Sequence, residues 1–330
     1  MIGFFCSESM NQKQKDNSSN RKHTKILIGL VVLLILSNIG FVVWRPNKNK
    51  EEKINQYPLI DPARAILNQE DYIVNFQSLK KELNDYVETL PPNSISIYFE
   101  MLHSGSNISI NPDLPIWPAS LMKLPVALAV MKKVEKGEWL LNNELVLSSE
   151  DQDNSYGDLY RSAVGTTFTI DTLIKTMLVK SDNTAYKILV RNLEPSDLNE
   201  IVEDLGLDNL FTKEGKVTAK EYTRLFRVLY ISSYLTLEHS NQLLEWMTES
   251  SFNQYLAAGI PDEIKFSHKI GENAVYKTYG DSGIIYLGTH PYMLTVMVQQ
   301  AEGSTEEQKM ESSKIMEHVS KVIYDYVISK

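Results

Sequence analysis

A serine and a lysine three residues apart begin the stretch Trp117–Leu140, which reads WPASLMKLPVALAVMKKVEKGEWL. Within a helix, this spacing places the side chains of Ser120 and Lys123 on one face. The segment after Lys123 is almost wholly apolar, so burial is expected to lower the lysine pKa from its usual value of about 10.4. A neutral lysine one turn from a serine can accept the hydroxyl proton and leave the oxygen nucleophilic. The pair therefore predicts acyl transfer through Ser120.

The spacing alone does not distinguish a nucleophile from a helix cap, because both use the same local structure. The pattern Ser-x-x-Lys occurs three times, at Ser19–Lys22, Ser78–Lys81 and Ser120–Lys123. The third opens an apolar helix, and two further polar motifs follow it, Ser181–Asn183 (SDN) and Lys269–Gly271 (KIG). The SDN triplet by itself would also suit a helix N-cap. The three motifs together favour a catalytic site.

In this order the motifs resemble those of class A β-lactamases and the related penicillin-binding proteins, which are Ser-x-x-Lys, Ser-Asp-Asn and Lys-Thr/Ser-Gly. The likeness covers roughly residues 76–328 and includes the segments SDNTA and LLEWM. It implies an α+β fold in which a five-stranded antiparallel sheet, flanked by helices, is joined to an all-helical lobe. It also implies a serine hydrolase that needs neither a metal nor another cofactor.

The resemblance assigns the covalent chemistry to a small set of residues. Ser120 would be the acylated nucleophile, and Lys123 would be its base. Ser181 would pass a proton to the leaving amine. The backbone N–H groups of Ser120 and Glu272 would hold the oxyanion that develops during attack.

The resemblance also implies a set of substrate-binding residues. Asn183 would bind the amide carbonyl, and Lys269 would hold the substrate carboxylate and keep Ser181 acidic. Gly271 would let the substrate backbone lie against the strand, where a side chain could block it. Ile270 replaces the hydroxyl residue that normally helps to grip the carboxylate. Loss of one hydrogen bond to a charged group costs about 1.5–3 kcal/mol, so weaker or altered specificity is expected.

A second departure from the family lies in the loop after the SDN motif. Class A enzymes carry a Glu-x-x-Leu-Asn pattern there, and its glutamate activates the water for deacylation. This chain passes from Leu207 to the next helix at Ala219 without that pattern. Glu214 is the nearby carboxylate that could replace the glutamate, although it equally suits a solvated turn before Gly215. The shortened loop predicts an acyl-enzyme that forms and then clears slowly.

Three functions are compatible with these motifs and departures. The first is an extracytoplasmic class A β-lactamase-like serine hydrolase acting on β-lactam amides. The second is a D-alanyl-D-alanine carboxypeptidase or transpeptidase acting on peptidoglycan peptides, which uses the same serine and lysine without a loop glutamate. The third is a non-catalytic, membrane-tethered protein that binds the cell wall or acts as a sensor. Ile270 and the missing loop favour the third function, whereas the intact motif residues oppose it.

Strands near both ends of the body, with helices between them, are expected to position the motifs. Residues 76–87 have helical spacing, and residues 95–99 alternate as a strand. Residues 121–249 are rich in predicted helices. The site is expected in a cleft between the sheet and the helical lobe. Toward the C terminus the pattern predicts three strands and a final helix, at residues 264–270, 283–287, 293–299 and 306–328.

Composition limits the partners and the chemistry. The 330 residues include 42 acidic and 33 basic side chains, a net charge of −9, and this negative excess argues against a nucleic acid partner. The single cysteine, Cys6, lies in the N-terminal tail, so disulfides and thiolate chemistry are not expected in the body. The six histidines include no HExxH pair, which argues against metal catalysis.

An uncharged stretch near the N terminus predicts a membrane anchor. Residues 26–44 are 19 residues without a charged side chain, about the length that crosses a hydrocarbon layer of roughly 30 Å. A buried core helix and a cleaved signal peptide are the alternatives, but no small-x-small cleavage pattern follows. The flanking basic residues favour a cytoplasmic tail at 1–25. A stalk at 45–75 and an extracytoplasmic catalytic domain at 76–330 would complete a single-pass protein of the cell membrane.

Overall fold

The computed structural model describes residues 75–207, 209–212 and 214–329. Within these residues, strands near both ends enclose a helical middle section. The elements, in chain order, are α1 (Gln77–Val87), β1 (Ile95–Met101), β2 (Asn107–Ile110), α2 (Lys123–Glu135), β3 (Glu144–Val146), β4 (Thr167–Thr169), α3 (Ile170–Val179), α4 (Asn183–Asn192), α5 (Pro195–Leu205), α6 (Ala219–Tyr230), α7 (Leu237–Thr248), β5 (Phe266–Asn273), β6 (Thr278–Ile285), β7 (Tyr292–Gln299) and α8 (Thr305–Ile328). Short 3₁₀ turns lie at Ala119–Met122, Leu159–Arg161 and Ala257–Gly259.

Five strands form one antiparallel sheet in the order β2-β1-β7-β6-β5. Strand β1 pairs with β7, so that Ile97 lies opposite Val296. Because side chains alternate across a strand, Ile97 and Phe99 face the core beneath α1 and α8, whereas Tyr98 faces the helical lobe. The predicted α+β fold with a five-stranded antiparallel sheet is confirmed.

Helix α2 lies at the centre of the helical lobe. Every residue from Lys123 to Met131 is buried, and α2 packs against α3, α4 and α5. A helix that is surrounded in this way has no solvent-facing side and therefore no need of a polar stripe. Helix α6 joins the lobe to the sheet, because it contacts β1, β6 and β7. The start of α2, which carries Lys123, thereby lies between the two layers.

Strand boundaries are where the structure differs from the sequence prediction. β6 begins at Thr278, whereas the pattern placed its start at Gly283. The first half of β6 is polar but buried, with Asp281 bonded to His268 at 2.9 Å and Ser282 bonded to Thr295 at 2.6 Å. Polar residues that are satisfied by hydrogen bonds can occupy a core strand, and they conceal it from a search for apolar alternation. The small ribbon of β3 and β4 lies outside the sequence prediction.

The predicted membrane anchor at residues 26–44 lies outside the described residues, as do the predicted tail and all of the predicted stalk except Asn75. Among the residues that the structure does describe, no helix combines the length and the apolar character needed to span a bilayer. The anchor therefore stays a prediction from the sequence.

Candidate active site

Ser120 lies in the 3₁₀ turn Ala119–Met122, which continues directly into α2. The preceding residue, Ala119, has a φ of 51°, a left-handed conformation that is unfavourable for a residue with a side chain. Such strain is typical of functional sites whose surroundings hold the backbone in place. The turn presents Ser120 to a cleft of about 520 Å³, a volume in the usual range for small-molecule sites.

Lys123 is the first residue of α2, and its side chain is only 3% exposed. Its Nζ lies 2.9 Å from Ser120 Oγ, 2.6 Å from the Ser181 carbonyl oxygen and 2.6 Å from Asn183 Oδ1. Burial lowers the Lys123 pKa to about 7, although the charges of Asp182 and Asp153 oppose the shift. The lowered pKa agrees with the sequence-based expectation.

The three shortest of the four polar contacts of Lys123 Nζ fit a neutral amine. A neutral amine has two N–H groups and one lone pair, whereas an ammonium has three donors and no acceptor. The Ser181 carbonyl and Asn183 Oδ1, at 2.6 Å each, can accept the two N–H groups. At the 2.9 Å separation between Nζ and Ser120 Oγ, the lone pair of the neutral amine can accept the hydroxyl proton when the nucleophile is activated. This arrangement orients the base toward the proton that it has to accept.

Ser181 links the two lysines of the site. Its buried Oγ lies 3.2 Å from Lys123 Nζ and 2.9 Å from Lys269 Nζ. The residue has a φ of 54°, and this backbone conformation allows both its carbonyl and its hydroxyl to approach Lys123. The Ser181 hydroxyl is thus placed to carry a proton away from Lys123, which is the role predicted from the resemblance.

Asp182 holds the SDN motif in position. One carboxylate oxygen accepts the backbone N–H of Ala185 at 2.8 Å and so caps α4. The other accepts the backbone N–H groups of Asp158 and Leu159 at 2.7 and 2.9 Å. Because Asp182 is fully buried, these bonds replace water around its charge. The N-cap interpretation of SDN therefore holds for Asp182, while its two neighbours face the site.

Asn183 connects the lysine to the rim of the cleft. Its Oδ1 accepts from Lys123, and its Nδ2 donates to Ser155 Oγ at 2.8 Å. Ser155 in turn bonds to Asp153, which Lys187 also contacts at 2.9 Å. Burial would raise the Asp153 pKa, but the hydrogen bonds from Ser155 and Lys187 hold it well below its usual range. No sequence motif indicated Asp153 or Ser155.

Lys269 lies in the middle of β5 and is 1% exposed. Its Nζ donates to Ser181 Oγ at 2.9 Å and to the Ile270 carbonyl at 2.8 Å. Burial, and then the charge of Lys123, hold the Lys269 pKa well below its usual value. Lys269 is not among the residues that line the cleft. It contacts Ser181 as predicted, but its direct contact with a substrate carboxylate stays a prediction.

Two substrate-binding predictions on β5 are corrected by the geometry. Ile270 is 1% exposed and belongs to the core beneath α1 and α8, so its side chain points away from the cleft. At Gly271, a Cβ atom would lie 2.4 Å from the Pro118 carbonyl oxygen and 2.9 Å from Leu121 Cγ. The glycine therefore makes room for the turn that carries Ser120, rather than for a substrate. Strand register determines both results, because it decides which face each residue occupies.

The proposed replacement for the loop glutamate is also corrected. Glu214 is exposed and does not line the cleft. The adjacent Gly215 packs against Trp117, where a Cβ would lie 2.3 Å from the indole ring. Trp117 also stacks on Tyr276, with ring centroids 4.6 Å apart. The shortened loop thus approaches the cleft through Gly215 and leaves Glu214 in solvent.

Glu272 lines the cleft beside Ser120, as expected for a residue whose backbone N–H would bind an oxyanion. Its side chain accepts from Tyr255 Oη at 2.8 Å and pairs with Lys309 of α8 at 3.0 Å. Neither Tyr255 nor Lys309 was indicated by a sequence pattern. Both residues are far from Glu272 along the chain, Tyr255 before β5 and Lys309 in α8, so only the fold brings them to the end of β5.

The structure brings five of the predicted residues into one hydrogen-bonded group, namely Ser120, Lys123, Ser181, Asn183 and Lys269. Within the part of the chain that the structure describes, no group of three His, Cys, Asp or Glu residues converges on a possible metal position. The chemistry that this group can perform is proton transfer from a hydroxyl to an amine and nucleophilic attack by the resulting oxygen.

Comparisons with known proteins agree with this geometry. The model of the Beta-lactamase enzyme family matches residues 78–327. The beta-lactamase VEB-1 of Pseudomonas aeruginosa is 22% identical over 249 residues, which are 68% of this chain and 82% of that protein. The solved structure of PBP-A has a TM-score of 0.70 at 21% identity, with 77% of this chain and 97% of that chain covered. The structure of the TLA-3 extended-spectrum beta-lactamase has a TM-score of 0.68 at 20% identity, and the alignment covers 77% of this chain and 100% of that chain.

A further solved structure is a mutant of PBP-A in an acyl-enzyme complex with penicillin G. It has a TM-score of 0.69 at 22% identity, and the alignment covers 77% of this chain and 97% of that chain. At these identities the structural likeness establishes the common fold, while the family assignment rests on the match across residues 78–327.

Proposed function

The chain belongs to the beta-lactamase enzyme family, and we propose that it is a serine hydrolase that opens β-lactam amides through an acyl-enzyme on Ser120. The observation that carries the proposal is the 2.9 Å contact between Ser120 Oγ and the buried Nζ of Lys123, whose pKa is lowered to about 7. At neutral pH a large share of the molecules then has a base in contact with the nucleophile.

Acylation follows from the order of these contacts. Lys123 accepts the Ser120 proton as Oγ attacks the lactam carbonyl carbon, and the backbone N–H groups of Ser120 and Glu272 stabilise the oxyanion. As the C–N bond breaks, the proton passes from Lys123 through the Ser181 hydroxyl to the leaving nitrogen. The hydroxyl receives one proton and gives another, so Ser181 is unchanged. The product is an ester on Ser120 with the opened ring still attached.

We propose that deacylation is slow. A positioned general base contributes about 10²- to 10⁴-fold to such a step. Among the described residues that line the cleft, the one carboxylate is that of Glu272, which is ion-paired with Lys309 and accepts a hydrogen bond from Tyr255. Glu214 is exposed and lies away from the cleft. Water that reaches the ester therefore meets, among the described cleft residues, no carboxylate that lacks a lysine partner to offset its charge.

A second candidate is a D-alanyl-D-alanine peptidase acting on cell-wall peptides. The observation that favours it is the same shortened loop, because this reaction passes the acyl group on without a loop glutamate. Acylation would use Ser120, Lys123 and Ser181 in the same roles. Release of free D-alanine from a peptide ending in D-alanyl-D-alanine, measured alongside β-lactam hydrolysis, distinguishes the two activities.

We also propose that the catalytic domain faces the outside of the cell on a single membrane anchor. The support is the uncharged segment of residues 26–44 with its flanking basic residues. Treatment of intact spheroplasts with a protease should remove the catalytic domain while cytoplasmic marker proteins survive. Protection of the domain until the cells are lysed would contradict this placement.

Mass spectrometry of the intact chain tests the proposed function. After brief exposure to penicillin G, the full-length protein in detergent should gain the mass of one penicillin G molecule, since ring opening releases no fragment. Ser120→Ala should gain nothing, and the adduct should persist after free penicillin is removed. A wild-type protein that forms no adduct would support the non-catalytic alternative, and an adduct lost within seconds would contradict slow deacylation.

A further inference from the structure

An ion pair faces the cleft beside the nucleophile. The Nζ atom of Lys309 lies 3.0 Å from each carboxylate oxygen of Glu272. The Glu272 side chain is 15% exposed and that of Lys309 is 37% exposed. Both residues line the same cleft as Ser120. The pair is therefore open to a bound molecule, unlike the buried lysines behind Ser181.

Glu272 and Lys309 dominate the fixed charge of the cleft. Among the described residues that line it, the charged side chains are Lys123, Glu272 and Lys309. Lys123 is buried, and its pKa of about 7 leaves it partly neutral. Burial, and after it the charge of Glu272, raise the pKa values of Tyr156 and Tyr279, which also line the cleft. The field of the Glu272 carboxylate thus reaches the space that a substrate would occupy.

The place of Glu272 determines which part of a substrate meets this field. Its backbone N–H is expected to bind the lactam carbonyl oxygen during attack, so the acylamino side chain on the carbon next to that carbonyl should lie near the end of β5. The carboxylate has about four acceptor positions. Tyr255, Gln254 and Lys309 contact Oε1, whereas Lys309 alone is seen to contact Oε2, which leaves room there for one more donor. A donor supplied by the acyl group of a substrate can occupy that position.

We propose that Glu272 and Lys309 act as a charge filter for the acyl group, favouring amides whose acyl group carries an ammonium over those whose acyl group carries a carboxylate. Glu272 attracts the ammonium, and Lys309 moderates the attraction by neutralising part of its charge. The inference rests on the proposed function, because it concerns the substrates that acylate Ser120. In this proposal Glu272 and Lys309 determine which substrates acylate Ser120, whereas other residues transfer the protons.

Three penicillins provide matched probes. Ampicillin carries an ammonium on the carbon next to the carbonyl of its 6-acylamino side chain, benzylpenicillin carries no charge at that carbon, and carbenicillin carries a carboxylate there. The second-order rate constant of acylation would be measured for each by mass spectrometry, at low ionic strength, with the full-length chain. The wild type should react fastest with ampicillin and slowest with carbenicillin.

Substitutions of Glu272 and Lys309 should change the ratio of ampicillin to carbenicillin acylation rates in opposite directions. Glu272→Gln keeps the backbone N–H and the size of the side chain, and it should lower the ratio of ampicillin to carbenicillin rates by about tenfold. Lys309→Met removes the neutralising charge, and it should raise the same ratio by about threefold. Glu317→Gln makes the same charge change at an exposed position of α8 that does not line the cleft. This control should leave the ratio unchanged.

A purely structural salt bridge predicts a different result. If the pair only fastened α8 to β5, Glu272→Gln and Lys309→Met would slow all three penicillins alike, and both would lower the melting temperature. That outcome, or changes of the ratio in the same direction for both variants, would overturn the filter while leaving acylation of Ser120 intact. A wild-type protein that reacts with none of the three penicillins would instead overturn the proposed function, and the filter with it.

Discussion

Substitution of Asn183 by Asp should move the pH dependence of acylation to higher pH. In the wild type, Asn183 Oδ1 lies 2.6 Å from Lys123 Nζ. An aspartate of almost the same shape would place a negative charge at that contact. A nearby opposite charge stabilises the protonated lysine and raises its pKa, by about 1–3 units for a close pair. The reaction requires the neutral amine, so the rising limb of the rate profile must follow the pKa upward.

The expected size of the pH effect on the acylation rate follows from the pKa of Lys123 in the wild type. Lowering the Lys123 pKa from 10.5 to about 7 increases the neutral fraction at pH 7 about a thousandfold. The wild-type acylation rate should therefore rise about tenfold between pH 6 and pH 9, with its midpoint near pH 7. In Asn183→Asp, the rate at pH 7 should fall by about five- to five-hundredfold and should recover as the pH is raised.

The assay is stopped-flow acylation by a chromogenic cephalosporin, measured from pH 5.5 to about pH 10, the stability of the β-lactam setting the upper limit. Because Asn183 is also expected to contact the substrate, a uniform loss of rate at all pH values is compatible with several explanations. A shift in the midpoint of the rate–pH profile, by contrast, reports a change in the pKa of Lys123. A midpoint that stays in place when Asn183 becomes Asp would refute the assignment of the rising limb to Lys123.

Three further substitutions test the positioning of the site. Gly271→Ala should displace the Ser120 turn, because a Cβ would lie 2.4 Å from the Pro118 carbonyl oxygen; acylation should fall at least about tenfold, and an unchanged rate would contradict this packing role. Asp182→Ala should cost about 3–5 kcal/mol in urea unfolding, because it leaves three backbone N–H groups, one buried and two partly buried, without their charged acceptor; a loss below about 1 kcal/mol would disagree. Ile270→Thr should cost about 2 kcal/mol and give no gain in penicillin acylation, because the side chain lies in the core; faster acylation at unchanged stability would restore its substrate-binding role.

The sequence predicted the reacting group well because its members are short motifs with fixed local geometry. Ser120 and Lys123 are one helical turn apart, and an apolar helix after Lys123 was sufficient to predict burial and a lowered pKa. Convergence of the SDN motif and Lys269 on that pair came from the resemblance, and the hydrogen bonds place them there.

Residues whose function depends on strand register or loop path were not predictable in the same way. Ile270 and Gly271 occupy opposite faces of β5, and the sequence did not indicate which face meets the Ser120 turn. Glu214 follows the course of a shortened loop that has no periodic pattern. The Glu272–Lys309 pair joins a strand end to the final helix, a contact that exists only after the sheet has assembled.

The polar half of β6 shows the same limit at the level of the fold. The segment from Thr278 to Ser282 is buried in the sheet, yet its composition is typical of a turn. Asp281 and Ser282 are hydrogen-bonded to side chains of the neighbouring strands, His268 and Thr295 respectively. Period-two apolar patterns detect strands that bury apolar side chains, so strands stabilised by buried hydrogen bonds are recognised only in the structure.

Direct titration of the Lys123 amine tests the central claim most closely. The ε-amine would be followed by NMR in protein labelled at lysine, with its signal assigned through the Lys123→Met variant. We predict a titration midpoint near pH 7, in agreement with the pKa of about 7 that burial produces, and the midpoint should coincide with that of acylation. A Lys123 amine that stays protonated up to about pH 10, as an exposed lysine does, would contradict its role as the base for Ser120.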